Sequence, residues 1–141
     1  MILYTGGTFD VFHYGHMIFL RSCQKISSKV VVALNTDEFV ESYKAQYPIL
    51  SYKQRAKSIK LFDNSIEVVE NVGGQDSKPA ILSVSPDLIA IGDDWCNRDY
   101  YAQMNFTQEW LDEHGILLIY IPYTKQISTT EIKTKICNTC V

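Results

Sequence analysis

The chain has 141 residues, 46% of them hydrophobic and 21% charged, with 13 Lys and Arg against 16 Asp and Glu for a formal net charge of −3. That is enough apolar material to bury a core, and the balance excludes a disordered chain and the basic field of a nucleic-acid binder. No apolar run approaches the roughly 18 residues needed to span a bilayer.

Met1–Tyr4 lacks the basic flank and long apolar stretch of a signal peptide, so one cytoplasmic domain covering residues 1–141 is expected. Free thiols are then the default for Cys23, Cys96, Cys137 and Cys140. Cys137 and Cys140 form a Cys-x-x-Cys pair, which reads either as terminal thiols or as half of a zinc site whose other half is missing.

Apolar runs rich in β-branched residues alternate with helical patterns. Ile2–Thr5 reads as a first strand, followed by a loop and a helix with Phe19, Leu20, Cys23 and Ile26 on one stripe. Val30–Leu34 is a second strand, and Val40 to Leu50 reads as a loop. Ser51 and Gln54 form a capping box for a helix that buries Tyr52, Ala56, Ile59 and Phe62. Ile66–Val69 and Leu88–Ile91 are further strands. Asn105 is placed to cap a helix running to Glu113 and ended by Gly115, ahead of a strand at Ile116–Ile121. Ser128 and Glu131 form a second capping box, opening a last helix with Ile132 and Ile136 facing inward. Strands alternating with helices predict an α/β fold, a Rossmann-like doubly wound parallel sheet. Ligands of such sheets sit beyond the carboxyl ends of the strands, where the strand order reverses.

The unusual residues lie there. After the first strand comes Gly6-Gly7-Thr8-Phe9-Asp10-Val11-Phe12-His13-Tyr14-Gly15-His16. Glycines at a strand end let the backbone approach a ligand, and a following helix start favours an anion. His13 and His16 can bring two imidazoles beside one phosphate, with small Gly15 leaving room for the ligand. The same pair can instead cap or pack the helix, or bind a metal, and those readings stay open on spacing alone. Asp10 is a candidate metal or structural ligand. Neither the Gly-x-Gly-x-x-Gly nor the P-loop lysine pattern is present.

Gly7-Thr8-Phe9-Asp10 followed by His13-x-Gly-His16 resembles the signature of the cytidylyltransferases, within the wider His-x-Gly-His nucleotidyltransferase superfamily. Asn35–Phe39, Ser51–Arg55, Gly92-Asp93-Asp94-Trp95 and Ile127–Thr130 follow in matching order, and the likeness over nearly the whole chain is to the glycerol-3-phosphate branch. The resemblance implies transfer of CMP from CTP to a small phosphomonoester, glycerol 3-phosphate first, with release of pyrophosphate. It implies Mg²⁺ arriving with CTP, and a homodimer.

It also implies roles. His13 and His16 would stabilise the α-phosphoryl group, with Lys44 a third catalytic residue against a solvated alternative. Gly7, Thr8, Phe9, Arg55, Asp94, Trp95, Ser128, Thr129 and Thr130 would hold the nucleotide, with Asp94 also assigned to a metal. Arg55 can otherwise be a helix-surface arginine, and Ser128 is explained by capping alone. Where the family carries basic residues this chain has Asp63 and Tyr123, and Lys60 and Lys125 are the nearby cations placed to compensate. The alternatives are an adenylyltransferase of the same superfamily and a nucleotide-binding module without catalysis.

Overall fold

A computed structural model of the chain describes residues 1–92, 99–122 and 127–139. Asp93, Asp94, Trp95, Cys96, Tyr123, Lys125 and Cys140 lie outside the described residues. The elements run β1 (Ile2–Gly7), α1 (Tyr14–Ile26), β2 (Lys29–Leu34), α2 (Asp37–Lys44), α3 (Tyr52–Phe62), β3 (Glu67–Glu70), α4 (Lys78–Val84), β4 (Leu88–Gly92), α5 (Tyr100–Met104), α6 (Gln108–Glu113), β5 (Leu117–Ile121) and α7 (Thr129–Thr139). The five strands form one sheet of order β3-β2-β1-β4-β5, every pairing parallel.

Parallel strands with helices on both faces need apolar residues at consecutive positions, and Val30 to Leu34 are all buried. Leu3, Val32 and Leu34 face a layer containing Leu20, Cys23 and Ile59 of α1 and α3. Tyr4, Ala33, Ile89 and Ile91 face a second layer with Ile81, Tyr100, Phe106 and Leu111 of α4 to α6. The chain leaves β1 toward β2 and β3, then crosses back to β4 on the other side of β1. The strand order therefore reverses between β1 and β4, which fixes where a crevice opens.

Several expectations are corrected. Gly6 and Gly7 are still in β1, opposite Ala33 and Leu34, because β2 continues far enough to pair with them. Val40 to Lys44 belong to α2, which Thr36 caps by accepting from the Phe39 N–H. Asn105 caps no N-terminus: it is the left-handed C-cap of α5, and Thr107 starts α6 by accepting from the Trp110 N–H. Gly115, at φ 66°, closes α6 as its position predicts. Ile136 and Ile26 are exposed, so neither joins the inward-facing stripe expected of it.

Candidate active site

His13 is the N-cap of α1. Its Nδ1 accepts from the Gly15 N–H at 3.1 Å, while Nδ1 of His16 accepts from the His13 N–H at 3.2 Å. Together they make a capping box in which two histidines replace the usual hydroxyl and carboxylate. A nitrogen that accepts carries no proton, so each neutral ring holds its proton on Nε2. The capping reading and the ligand reading are thus compatible: one nitrogen of each ring is fixed by the helix, and the other remains a donor. The rings stack at 3.8 Å between centroids and 24° between planes.

Burial keeps them neutral. His16 lies against Phe9 and Phe12, at 5.2 and 5.5 Å between centroids. Desolvation there, with repulsion from His13, pushes the His16 pKa down to about 3. His13 is also lowered, by desolvation. Gly15 lines the cavity and must also be small for these rings, because a Cβ at that position would sit 2.9 Å from Cε1 of His13 and 3.1 Å from Cγ2 of Ile127. Gly7 is required in the same sense, since its Cβ would fall 2.9 Å from the Phe9 ring.

The loop between β1 and α1 is held in an unusual shape. Phe9 and Val11 have φ of 51° and 49°, a conformation costly for a bulky or β-branched residue, which persists only when its surroundings impose it. Asp10 is the anchor. Its carboxylate accepts from the N–H groups of Val11, Ile49 and Leu50 at 3.0, 2.7 and 2.9 Å, and from the Lys133 ammonium at 2.9 Å. Burial alone would raise its pKa, but the Leu50 N–H, Lys133 and the Ile49 N–H together lower it. With both oxygens occupied, Asp10 takes the structural of its two roles.

Arg55 is the second anchor, and a correction. Its side chain is fully buried, not at the helix surface and not on the cavity wall. Nε donates to the Leu50 carbonyl at 3.0 Å, Nη1 to Thr8 at 2.8 Å, and Nη2 to Asn35 at 2.9 Å and the Asp37 carboxylate at 2.7 Å. The fork expected to reach a nucleotide is consumed by the loops that shape the site.

A cavity of about 440 Å³ opens beyond the carboxyl ends of β1 and β4. It brings together Gly7, Thr8, Phe9, His13, His16, Lys44, Ser128 and Thr129 of the expected set. Thr129 donates its hydroxyl to the Asp10 carbonyl at 2.8 Å and lies 3.4 Å from Nε2 of His13, so the starts of α1 and α7 meet. Ser128 caps α7 by accepting from the Glu131 N–H at 3.1 Å. Thr130 is exposed and does not line the cavity. Asp63, at the α3 C-cap, accepts from Arg21, Gln24 and Ser65, away from the cavity. Lys60 compensates nothing there, because its ammonium donates to the Asn64 and Ile66 carbonyls.

The lining residues to which the sequence reading assigned no role include Lys133, Tyr43, Asn35 and Asn71. Lys133 had a signal, since it lies four residues after Thr129 and so on the same helix face. Asn35 donates to Thr8 Oγ1 at 3.1 Å, and the Tyr43 hydroxyl stands 3.4 Å from that same oxygen. Neither contact has a periodicity to betray it.

The sequence model of the cytidylyltransferase-like family matches residues 4–135. The chain belongs to that family. It is 34% identical over 130 residues to a glycerol-3-phosphate cytidylyltransferase of Bacillus spizizenii, covering 92% of each chain. It is also 30% identical over 139 residues to an FAD synthase of Thermococcus kodakarensis, covering 95% of this chain and 90% of that one. Among solved structures, the lipopolysaccharide core biosynthesis protein of Thermoplasma volcanium superposes with a TM-score of 0.68 at 22% identity, over 90% of this chain and 98% of that one, a likeness of fold. Membership makes this chain a nucleotidyltransferase-family protein. No helix among the described residues is long and apolar enough to cross a membrane.

Proposed function

We propose that the protein transfers CMP from CTP to a small phosphomonoester, with glycerol 3-phosphate the first candidate acceptor. The observation that carries the reading is the meeting of two Nε2–H imidazoles with Thr129 at the switch point of the sheet. In the reaction an acceptor phosphate oxygen attacks the α-phosphorus of CTP, and the bond from that phosphorus to the bridging oxygen breaks as pyrophosphate leaves. The acceptor is already an anion near neutral pH, so no general base is required. The barrier lies in bringing anions together and in the charge gathering on the α-phosphoryl oxygens.

Burial suits His13 and His16 to that task, since each presents one fixed N–H donor without ionising. The orientation needs no rearrangement during reaction, because Nδ1 of each ring is already tied to the start of α1. Lys44, on the cavity wall at the end of α2, adds a mobile cation, and Lys133 a second one held by Asp10. Ser128 and Thr129 add the opening of α7, whose dipole favours phosphate.

Mg²⁺ would travel with the triphosphate, shielding its charge. No three His, Cys, Asp or Glu side chains among the described residues converge to hold an ion, and the Asp10 oxygens are engaged, so phosphate oxygens and water would supply most of its ligands. Asp94 stays a candidate ligand outside the described residues.

Pyrophosphate release from CTP, measured across glycerol 3-phosphate, phosphoethanolamine, phosphocholine and sugar phosphates, tests the reading. Release with one of them at rates well above CTP alone is expected; CTP binding without release from any would leave a nucleotide-binding module. A second reading, adenylyl transfer to a flavin phosphate, is favoured by the FAD synthase likeness. ATP with FMN in the same assay separates the two.

A further inference from the structure

One end of the cavity is not used by the phosphate chemistry. The histidines and Thr129 approach from the starts of α1 and α7. On the other side of the glycine edge of β1 the wall is made by Asn71, which follows β3, with Gln75, Ser77 and Gln103. These are uncharged polar groups. The only carboxylate on the described wall is Asp10, which is bound by Lys133. A phosphorylated ligand that reaches this lobe meets amides and a hydroxyl, and, among the described residues, no counter-charge for an ammonium.

Asn71 carries the decisive feature. It is only 8% exposed, and its Nδ2 donates to Oδ1 of Asn35 at 2.9 Å and to the Gly74 carbonyl at 3.1 Å. Its Oδ1 is buried and has no hydrogen-bond partner among the described residues. Turning the amide over does not rescue it, because an oxygen would then face the Asn35 and Gly74 oxygens, two acceptors. Folded proteins seldom leave a buried acceptor without a donor, and a functional site is one of the recognised reasons. The missing group is a donor, and Asn71 lines the cavity.

Resting on the transferase reading above, we infer that Asn71 is a specificity-determining residue for the acceptor, whose Oδ1 takes the proton of a hydroxyl on an uncharged, hydroxylated acceptor body. The nucleotide is assigned to the other half of the site, with the start of α7, so the β3–α4 side is left for the acceptor. Lys44, at the end of α2 on the β2–β3 side, is the cation beside it for the acceptor phosphate. The class this lobe selects is a polyol phosphate. A phosphocholine-like cation lacks a partner among the described residues here, and an alkyl phosphate leaves the amide oxygen unmet. Sites built around a hydroxyl discriminate strongly against the analogue without it, for the same reason.

The test compares glycerol 3-phosphate with n-propyl phosphate, equal in length and without hydroxyls, and with phosphocholine. Binding of each is measured by calorimetry to the protein alone and with CTP, with pyrophosphate release followed in parallel. The unmodified protein is expected to bind glycerol 3-phosphate at least tenfold more tightly than either rival. In Asn71→Leu that preference should fall below threefold while CTP affinity stays within twofold. Should Asn71→Leu not fold, the comparison of glycerol 3-phosphate with n-propyl phosphate on the unmodified protein still decides, with a preference of at least tenfold expected. Equal binding of propyl and glycerol phosphates by the unmodified protein, a preference that survives the substitution, or a loss of CTP affinity instead would overturn the inference. Absence of pyrophosphate release with the binding preference intact would instead count against the transferase reading alone.

Discussion

Arg55 and His16 hold opposite ends of one loop, and both are polar groups drawn out of water. Their donors meet different fates. All three nitrogens of the Arg55 guanidinium end on protein: three carbonyls and the Asp37 carboxylate. Each imidazole has one nitrogen bound to the backbone, and both rings line the cavity, with Nε2 of His13 standing 3.4 Å from Thr129 Oγ1. The first arrangement is a completed hub that sets the shape of the Thr8–Val11 loop. The second is a half-completed one, and chemistry belongs to the half left over. A residue's type does not separate the two; the number of its groups already engaged does.

The sharpest way to break the comparison is to remove one member of each pair. His16→Ala should lower pyrophosphate release by about 10²–10³ per folded molecule, measured with circular dichroism as the check on folding. Activity within threefold of the parent would remove the imidazole from the mechanism. Arg55→Met should do its damage to the fold, because it strands three carbonyls and a half-buried carboxylate. A loss of about 3–5 kcal/mol is expected, seen as a fall in Tm of roughly 10 °C or more. If Arg55→Met melts like the parent yet loses CTP affinity, the arginine is a ligand after all.

A smaller effect comes from pH. The His16 pKa in the folded protein, about 3, lies below the ordinary value near 6.5. The unfolded chain therefore binds more protons between those limits, and stability is full above about pH 6.5 and falls as pH drops toward 3. The His16 contribution to the slope approaches about 1.4 kcal/mol per pH unit. Denaturant titrations from pH 7 to 4.5 should show it in the parent and not in His16→Gln; parallel slopes would mean the ring ionises freely in the folded state. The smallest change expected is in Lys44→Ala, roughly tenfold in pyrophosphate release with little change in Tm, since this lysine is exposed and its nearest marked neighbour is the Tyr43 ring at 5.7 Å.

The same contrast explains what could be read from the sequence. The strands were legible because parallel strands covered on both faces need unbroken apolar runs, and Val30–Leu34 and Leu88–Ile91 supply them. The capped helix at Tyr52–Phe62 was legible from Ser51 and Gln54 alone. Short helices were not: α2 and α4 are too brief for a periodic stripe, although Thr36 was a readable cap for the first. At the site, His13 and His16 were found by spacing, and their capping geometry satisfies two readings that spacing could not separate. Arg55 was misplaced because its sequence position beside an apolar stripe fits a surface and a buried fork equally well. Only the carbonyls of Thr8, Asn35 and Leu50, gathered from three segments, decide between them. The Asn71 amide was invisible for the same reason, since its meaning lies in a missing partner.

The most direct test of the central claim is the ¹⁵N spectrum of the two imidazoles during a CTP titration. Both His13 and His16 should show neutral rings protonated on Nε2 at pH 7, with those Nε2 signals shifting as the nucleotide binds. CTP binding that leaves both imidazole spectra unchanged, or rings protonated on Nδ1, would contradict the account.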